Sequence, residues 1–130
     1  MPKKTIATTT SSMEIDGAIH PVIDPERLSI LTEALGETKL IELRLTARQS
    51  ILESAEALRL SWKNDDLPTV ARNAHRLSGV AANFGWPALA MIAGLIEKSC
   101  KNDDDGKRYA RQFEDVLTAS LADIPPYSDN

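Results

Sequence analysis

The chain has 130 residues, 42% of them hydrophobic and 5% aromatic, a length and balance that suit one domain around one aliphatic core. Its net charge of −4, with basic residues scattered apart from Lys3-Lys4, argues against a nucleic-acid protein, which needs a basic stripe to neutralise phosphates. No apolar run approaches the roughly 20 residues that cross a bilayer, and the single Cys100 rules out an internal disulfide or a multi-cysteine metal site.

Met1-Pro2-Lys3-Lys4 is followed by Thr and Ser where a signal peptide would place an apolar stretch, so the expected location is cytoplasmic. Residues 1–21 are rich in Thr and Ser and lack periodicity, which predicts a flexible tail or linker. His20, beside Pro21 in that tail, reads as a solvated loop histidine. From there the pattern is helical over residues 22–124, with a short C-terminal tail over 125–130. The first helix opens with Asp24 as N-cap and Pro25 at its first position, carries Leu28, Leu31 and Leu35, and can end at Gly36. A long second helix is predicted from about Thr38 to Trp62, with Leu40, Leu43, Ala47, Ile51, Ala55, Leu58 and Trp62 near one face and Ile41, Leu45 and Leu52 widening it. Asn64-Asp65-Asp66 breaks the pattern, and a third helix with Pro68 in its first turn runs to Phe84, where Gly85 suits the left-handed position after it. Pro87 starts a fourth helix with Leu89, Ile92, Leu95, Ile96 and Cys100, the last a partly buried thiol; Trp86 packs at the connection. After the break Asn102-Asp103-Asp104-Asp105-Gly106, a fifth helix carries Tyr109, Phe113, Val116, Leu117 and Leu121 and is stopped by Pro125-Pro126. No stretch gives sustained strand alternation with turn dipeptides. The predicted fold is all-α: an antiparallel up-and-down four-helix bundle, monomeric, with an additional short N-terminal helix.

The third helix carries the residue with the most chemistry. At 3.6 residues per turn, Leu67, Val70, Ala74, Leu77, Ala81 and Phe84 share one arc, the core stripe. His75 points away from it. Arg72, Gly79 and Ala82 are its neighbours on the wheel, with Ala71 and Ser78 on one flank and Arg76 and Asn83 on the other. A glycine inside a helix costs about 0.5–1 kcal/mol relative to alanine, which is intelligible if something must approach closely at Gly79. Ala71, Gly79, Ala82 and Asn83 then form an approach surface around a projecting imidazole. Metal binding would need a second ligand one turn away, and that position is Gly79. A His–carboxylate pair is not expected either, because no Asp or Glu lies within one turn of His75.

His75-x-Leu77-x-Gly79, followed by Phe84-Gly85 and Leu89 inside this helical layout, resembles the histidine phosphotransfer (HPt) domain of multistep two-component signalling. The resemblance covers about Val22 to Ile124. It implies that His75 accepts a phosphoryl group from the aspartyl phosphate of one receiver domain and passes it to the aspartate of another. It also implies response-regulator receivers and a sensor (hybrid) histidine kinase as partners, no intrinsic cofactor, Mg²⁺ on the partner receiver, and no ATP-dependent kinase activity. One position departs from the family. Where HPt domains commonly carry Lys three residues after the histidine, this chain has Ser78, which donates a hydrogen bond but brings no charge. Arg72, Arg76 and Ser78 are the candidates for stabilising the phosphoryl group. The alternative function is a degenerate HPt-like module that binds a receiver without transferring phosphate.

Overall fold

The computed structural model describes residues 11–122. Five α-helices dominate: α1 (Pro25–Leu35), α2 (Glu37–Lys63), α3 (Leu67–Asn83), α4 (Pro87–Lys101) and α5 (Ala110–Leu121), the last entered through a 3₁₀ turn at Lys107–Tyr109. Their starts are written locally. Asp24 accepts from the Arg27 amide at 3.1 Å with Pro25 behind it, and Asp66 accepts from the Thr69 amide at 3.3 Å and from its hydroxyl at 2.7 Å, so each cap satisfies an amide that the first turn leaves free. Their ends are equally local. After α3, Gly85 takes φ 91° and lets the Trp86 amide reach back to the Ala81 carbonyl at 2.9 Å, the closure that a left-handed residue makes possible. Asp65 and Asp103 serve the same purpose after α2 and α4, with φ of 54° and 60°, a conformation that a short polar side chain tolerates. Sharp closures keep the connections short, and α3 therefore packs against both α2 and α4.

Val70, Ala74, Leu77 and Ala81 of α3 meet Ile51, Ala55 and Leu58 of α2, Leu89, Ile92 and Ile96 of α4, and Phe113 and Val116 of α5 in one buried cluster. The predicted face of α2 is buried except for Leu43, which is half-buried; of the residues expected to widen it, Leu45 and Leu52 are half-buried and Ile41 is exposed. Arg44, unforeseen on that face, is only 7% exposed; its Nε donates to the Phe84 carbonyl at 3.0 Å and its guanidinium lies 4.3 Å from the Trp86 ring centroid. Trp86 is fully buried at the α3–α4 connection, as expected. Arg59 grips Glu114 of α5 through Nε and Nη2 at 2.7 and 2.9 Å, and that hydrogen bond holds the Glu114 carboxyl below its ordinary pKa. Cys100 is buried, and desolvation, helped by Asp105 and Asp104, pushes its thiol pKa up. No helix of the described residues is long and apolar enough to cross a membrane.

Two expectations need correction. Strands do occur: β1 (Ser12–Ile15) and β2 (Ala18–Pro21) form an antiparallel hairpin in which Ile15 pairs with Ala18 and Ser12 with Pro21. The tail predicted over residues 1–21 is thus structured from Ser12 onward, and His20 is a half-buried strand residue rather than a loop residue. The reason is the dipeptide Asp16-Gly17, whose φ values of 51° and 83° supply the two left-handed residues that a tight two-residue hairpin turn demands. The hairpin is held from outside as well. Ile15 is 1% exposed, the Tyr109 hydroxyl donates to Asp16 Oδ2 at 2.9 Å, and the Gln112 amide donates to the Glu14 carbonyl at 2.6 Å. Residues 1–10, Ile124 and the tail expected over 125–130 lie outside the described residues.

Candidate functional site

The core stripe of α3 falls where its period placed it. Val70, Ala74, Leu77 and Ala81 are buried, and Leu67 and Phe84 half-buried. His75 accordingly leaves the core, with its side chain 77% exposed. Gly79, Ala82 and Asn83 of the expected approach surface are exposed. Ala71 is not: it is 9% exposed and belongs to the core cluster. It stands between the core stripe and His75 on the wheel, on the side that α4 covers, so it floors the site instead of rimming it.

That covering helix supplies the group that the third helix lacks. Ala90, Gly94, Glu97 and Lys101 recur along α4 at spacings of four, three and four, one stripe of the helix. The stripe runs antiparallel to α3: the Ser78 hydroxyl donates to the Ala90 carbonyl at 2.9 Å, and one turn earlier on α3 His75 Nδ1 lies 3.0 Å from Glu97 Oε2 and 3.2 Å from Oε1. The expectation of no His–carboxylate pair is therefore overturned. Its partner comes from another helix, 22 residues on in sequence, beyond any search of the histidine's own turns. Lys101 Nζ completes the group, 2.8 Å from the same Oε2.

The arrangement fixes which nitrogen can react. An ionised carboxylate only accepts hydrogen bonds, so in the neutral imidazole the proton sits on Nδ1, facing Glu97, and the lone pair sits on Nε2, facing out. Glu97 is 15% exposed. Burial alone would raise its pKa, but hydrogen bonds from Lys101 and His75, with their charges, outweigh that and hold it below the ordinary glutamate value. A lowered folded-state pKa means that the contribution of the ionised carboxylate is in place above the unfolded-state value and is lost only as pH falls through the lower folded value. Glu97 thus stays an acceptor through the whole range in which an imidazole is neutral. In Glu97→Gln, whose amide can either accept or donate, the preference for the Nδ1–H tautomer is expected to fall about fivefold. Nitrogen-15 shifts of the imidazole read this directly, and a wild-type ring already protonated on Nε2 would refute the assignment.

The three candidates for stabilising a phosphoryl group are placed differently. Ser78 is half-buried in the α3–α4 seam, its proton committed to the Ala90 carbonyl. Arg72 is exposed and donates through Nη2 to Thr69 Oγ1 at 3.0 Å, toward the start of α3. Arg76 is exposed. Pro68, Ala71, Arg72, His75, Glu97 and Lys101 line one open cleft of about 310 Å³. Further along the same seam, Ala82, Ala90, Met91, Gly94 and Leu95 line a more apolar groove of about 400 Å³ that reaches His20 of the hairpin.

Residues 25–125 match the family model of the Hpt domain. No curated protein and no solved structure matches the chain.

Proposed function

The chain belongs to the Hpt domain family, and from that premise we propose that it is a phosphorelay intermediate, taking a phosphoryl group on His75 from the aspartate of one receiver domain and handing it to the aspartate of another. The observation that carries this reading is an exposed imidazole on a rigid helix with its Nδ1 held 3.0 Å from a carboxylate. The Nε2 lone pair attacks the phosphorus of the aspartyl phosphate. The P–N bond forms as the acyl P–O bond breaks, and the electron pair of that bond returns to the aspartate carboxylate. The ring that results carries both the phosphoryl group and the Nδ1 proton, so it is cationic, and Glu97 compensates that charge without moving. A cationic ring is in turn a good leaving group, which suits transfer onward to a second receiver.

In this reading the receiver brings Mg²⁺ and most of the stabilisation of the transferring group, and this chain contributes the nucleophile and its orientation. Exposure of Nε2 lets two partners reach the same atom in turn. The helix order and the antiparallel α3–α4 seam favour an up-and-down four-helix bundle of α2 to α5 with α1 added in front. We take the protein to act as a cytoplasmic monomer between a sensor (hybrid) kinase and response regulators.

The test is direct. The purified chain is mixed with a receiver domain already phosphorylated on its aspartate, in the presence of Mg²⁺. Phosphate that is labile in acid and stable in base is expected to appear on this chain as the receiver loses it. A receiver that binds this chain yet keeps its phosphate until it hydrolyses to the solvent would sink the proposal.

A further inference from the structure

We propose that Lys101, in the last turn of α4, supplies the positive charge that stabilises the phosphoryl group on His75. The inference rests on the carrier reading above and assigns a part of the site that neither that reading nor the family fixes for this chain. It begins with a charge problem. A phosphoryl group carries about −1.5 to −2 charge at neutral pH, and here it arrives beside an imidazole already paired with a carboxylate, Glu97. The one positive charge of the phosphorylated ring is already compensated by Glu97, so the charge of the phosphoryl group itself calls for a further cation. Three residues after the histidine there is no cation: that residue is Ser78, and its hydroxyl is given to the Ala90 carbonyl at 2.9 Å.

One cation that the fold brings to the site comes from α4. Lys101 Nζ lies 2.8 Å from the same Glu97 Oε2 that His75 Nδ1 approaches at 3.0 Å, so the ammonium is no farther from the ring than those two bonds laid end to end. It lines the same cleft as His75. Its side chain is 66% exposed, and a flexible four-carbon stem with three rotatable donors can turn from Oε2 to a phosphoryl oxygen with the helix at rest. Arg72 lines the cleft too, but its guanidinium is engaged by Thr69 Oγ1 at 3.0 Å, which is itself tied to Asp66. Lys101 already touches the charge that the phosphoryl group would meet; Arg72 does not.

The test loads His75 without any receiver, so that only this chain's groups act. Phosphoramidate donates its phosphoryl group to Nε2: the new P–N bond forms, the donor's P–N bond breaks, and ammonia leaves. The full-length wild type, Lys101→Gln, Lys101→Arg and Arg72→Gln are compared for the steady level and the lifetime of acid-labile phosphate, with circular dichroism as a check on folding. Lys101→Gln is expected to lower level and lifetime about fivefold, Lys101→Arg to restore most of both, and Arg72→Gln to change little. A lysine that merely closed the end of α4 and paired with Glu97 would alter thermal stability and leave the phosphohistidine as it was. Unchanged phosphate in Lys101→Gln, an equal loss in Lys101→Arg, or a larger loss in Arg72→Gln overturns the assignment to Lys101 while leaving the carrier reading intact. A wild type that takes up no phosphate from phosphoramidate or from a phosphorylated receiver overturns both.

Discussion

After exposure to a phosphorylated receiver, the His75→Gln protein is expected to carry no phosphate and to fold as the wild type does. The side chain is 77% exposed on one face of α3, and a glutamine amide can still donate to Glu97, so stability should change by no more than about 1 kcal/mol. What is lost is the lone pair on Nε2, for which an amide nitrogen is no substitute as a nucleophile. Transfer should fall by at least a thousandfold, the limit of an ordinary phosphate assay, and not by the tenfold of a weakened contact. Receiver binding should survive, because one exposed side chain seldom dominates an interface built on a whole helix face. The pair of outcomes separates a carrier from a module that only binds: in a pure binding module the wild type and the variant would both remain unphosphorylated. Acid-labile phosphate persisting on the variant would move the acceptor to His20, the other histidine of the chain, and would remove α3 from the mechanism.

The second large effect is structural. Trp86→Ala is expected to lower stability by about 3–5 kcal/mol, the range for removing a buried aromatic side chain. Trp86 is 0% exposed, so its deletion leaves a cavity where α3 ends and α4 begins. It also removes the ring 4.3 Å from the Arg44 guanidinium, leaving a side chain that is 7% exposed without its aromatic face. Domains of this kind have about 5–15 kcal/mol in total, so the melting temperature should drop by roughly 10–20 °C. A thermal melt within about 3 °C of wild type would show that the connection is not what anchors α3 to α4. The variant matters for function because Glu97 must stand opposite His75, and the seam that sets their register begins at this corner.

Much of this fold was written in short stretches of sequence. Asp24-Pro25, Asp66 with Pro68, and Pro87 mark helix starts through local chemistry, and Gly85 marks an end, so five helices could be placed within a few residues. The 3.6-residue period of α3 turned His75 outward for the same local reason. The hairpin was legible too, in Asp16-Gly17, but strands of four residues set in a Thr/Ser tract show too little alternation to stand out. The remaining features depend on which helix lies beside which. Ala71 is flanking by period, yet it belongs to the core cluster and lines the cleft it shares with Glu97 and Lys101 of α4. Arg44 is charged yet buried because the Phe84 carbonyl and the Trp86 ring come to meet it. Glu97 and Lys101 look like an ordinary i,i+4 surface pair until α4 is laid antiparallel on α3. The small residues Ala90 and Gly94 on their stripe were the available hint, since a helix that presents them can approach a neighbour closely.

Gly79 leaves a trace of a different kind. A Cβ built there would find no atom within 4 Å beyond its chain neighbours and the backbone of its own helix, and its position is in the interior of α3, where alanine is favoured by about 0.5–1 kcal/mol. Among the described residues nothing asks for glycine there. In the carrier reading proposed above, heat resistance and transfer pull in opposite directions at a single methyl group: the first favours adding it, the second favours leaving the space for the receiver that comes to the imidazole. On that reading the space beside residue 79 is kept for a partner, in a chain that a methyl group there would make sturdier.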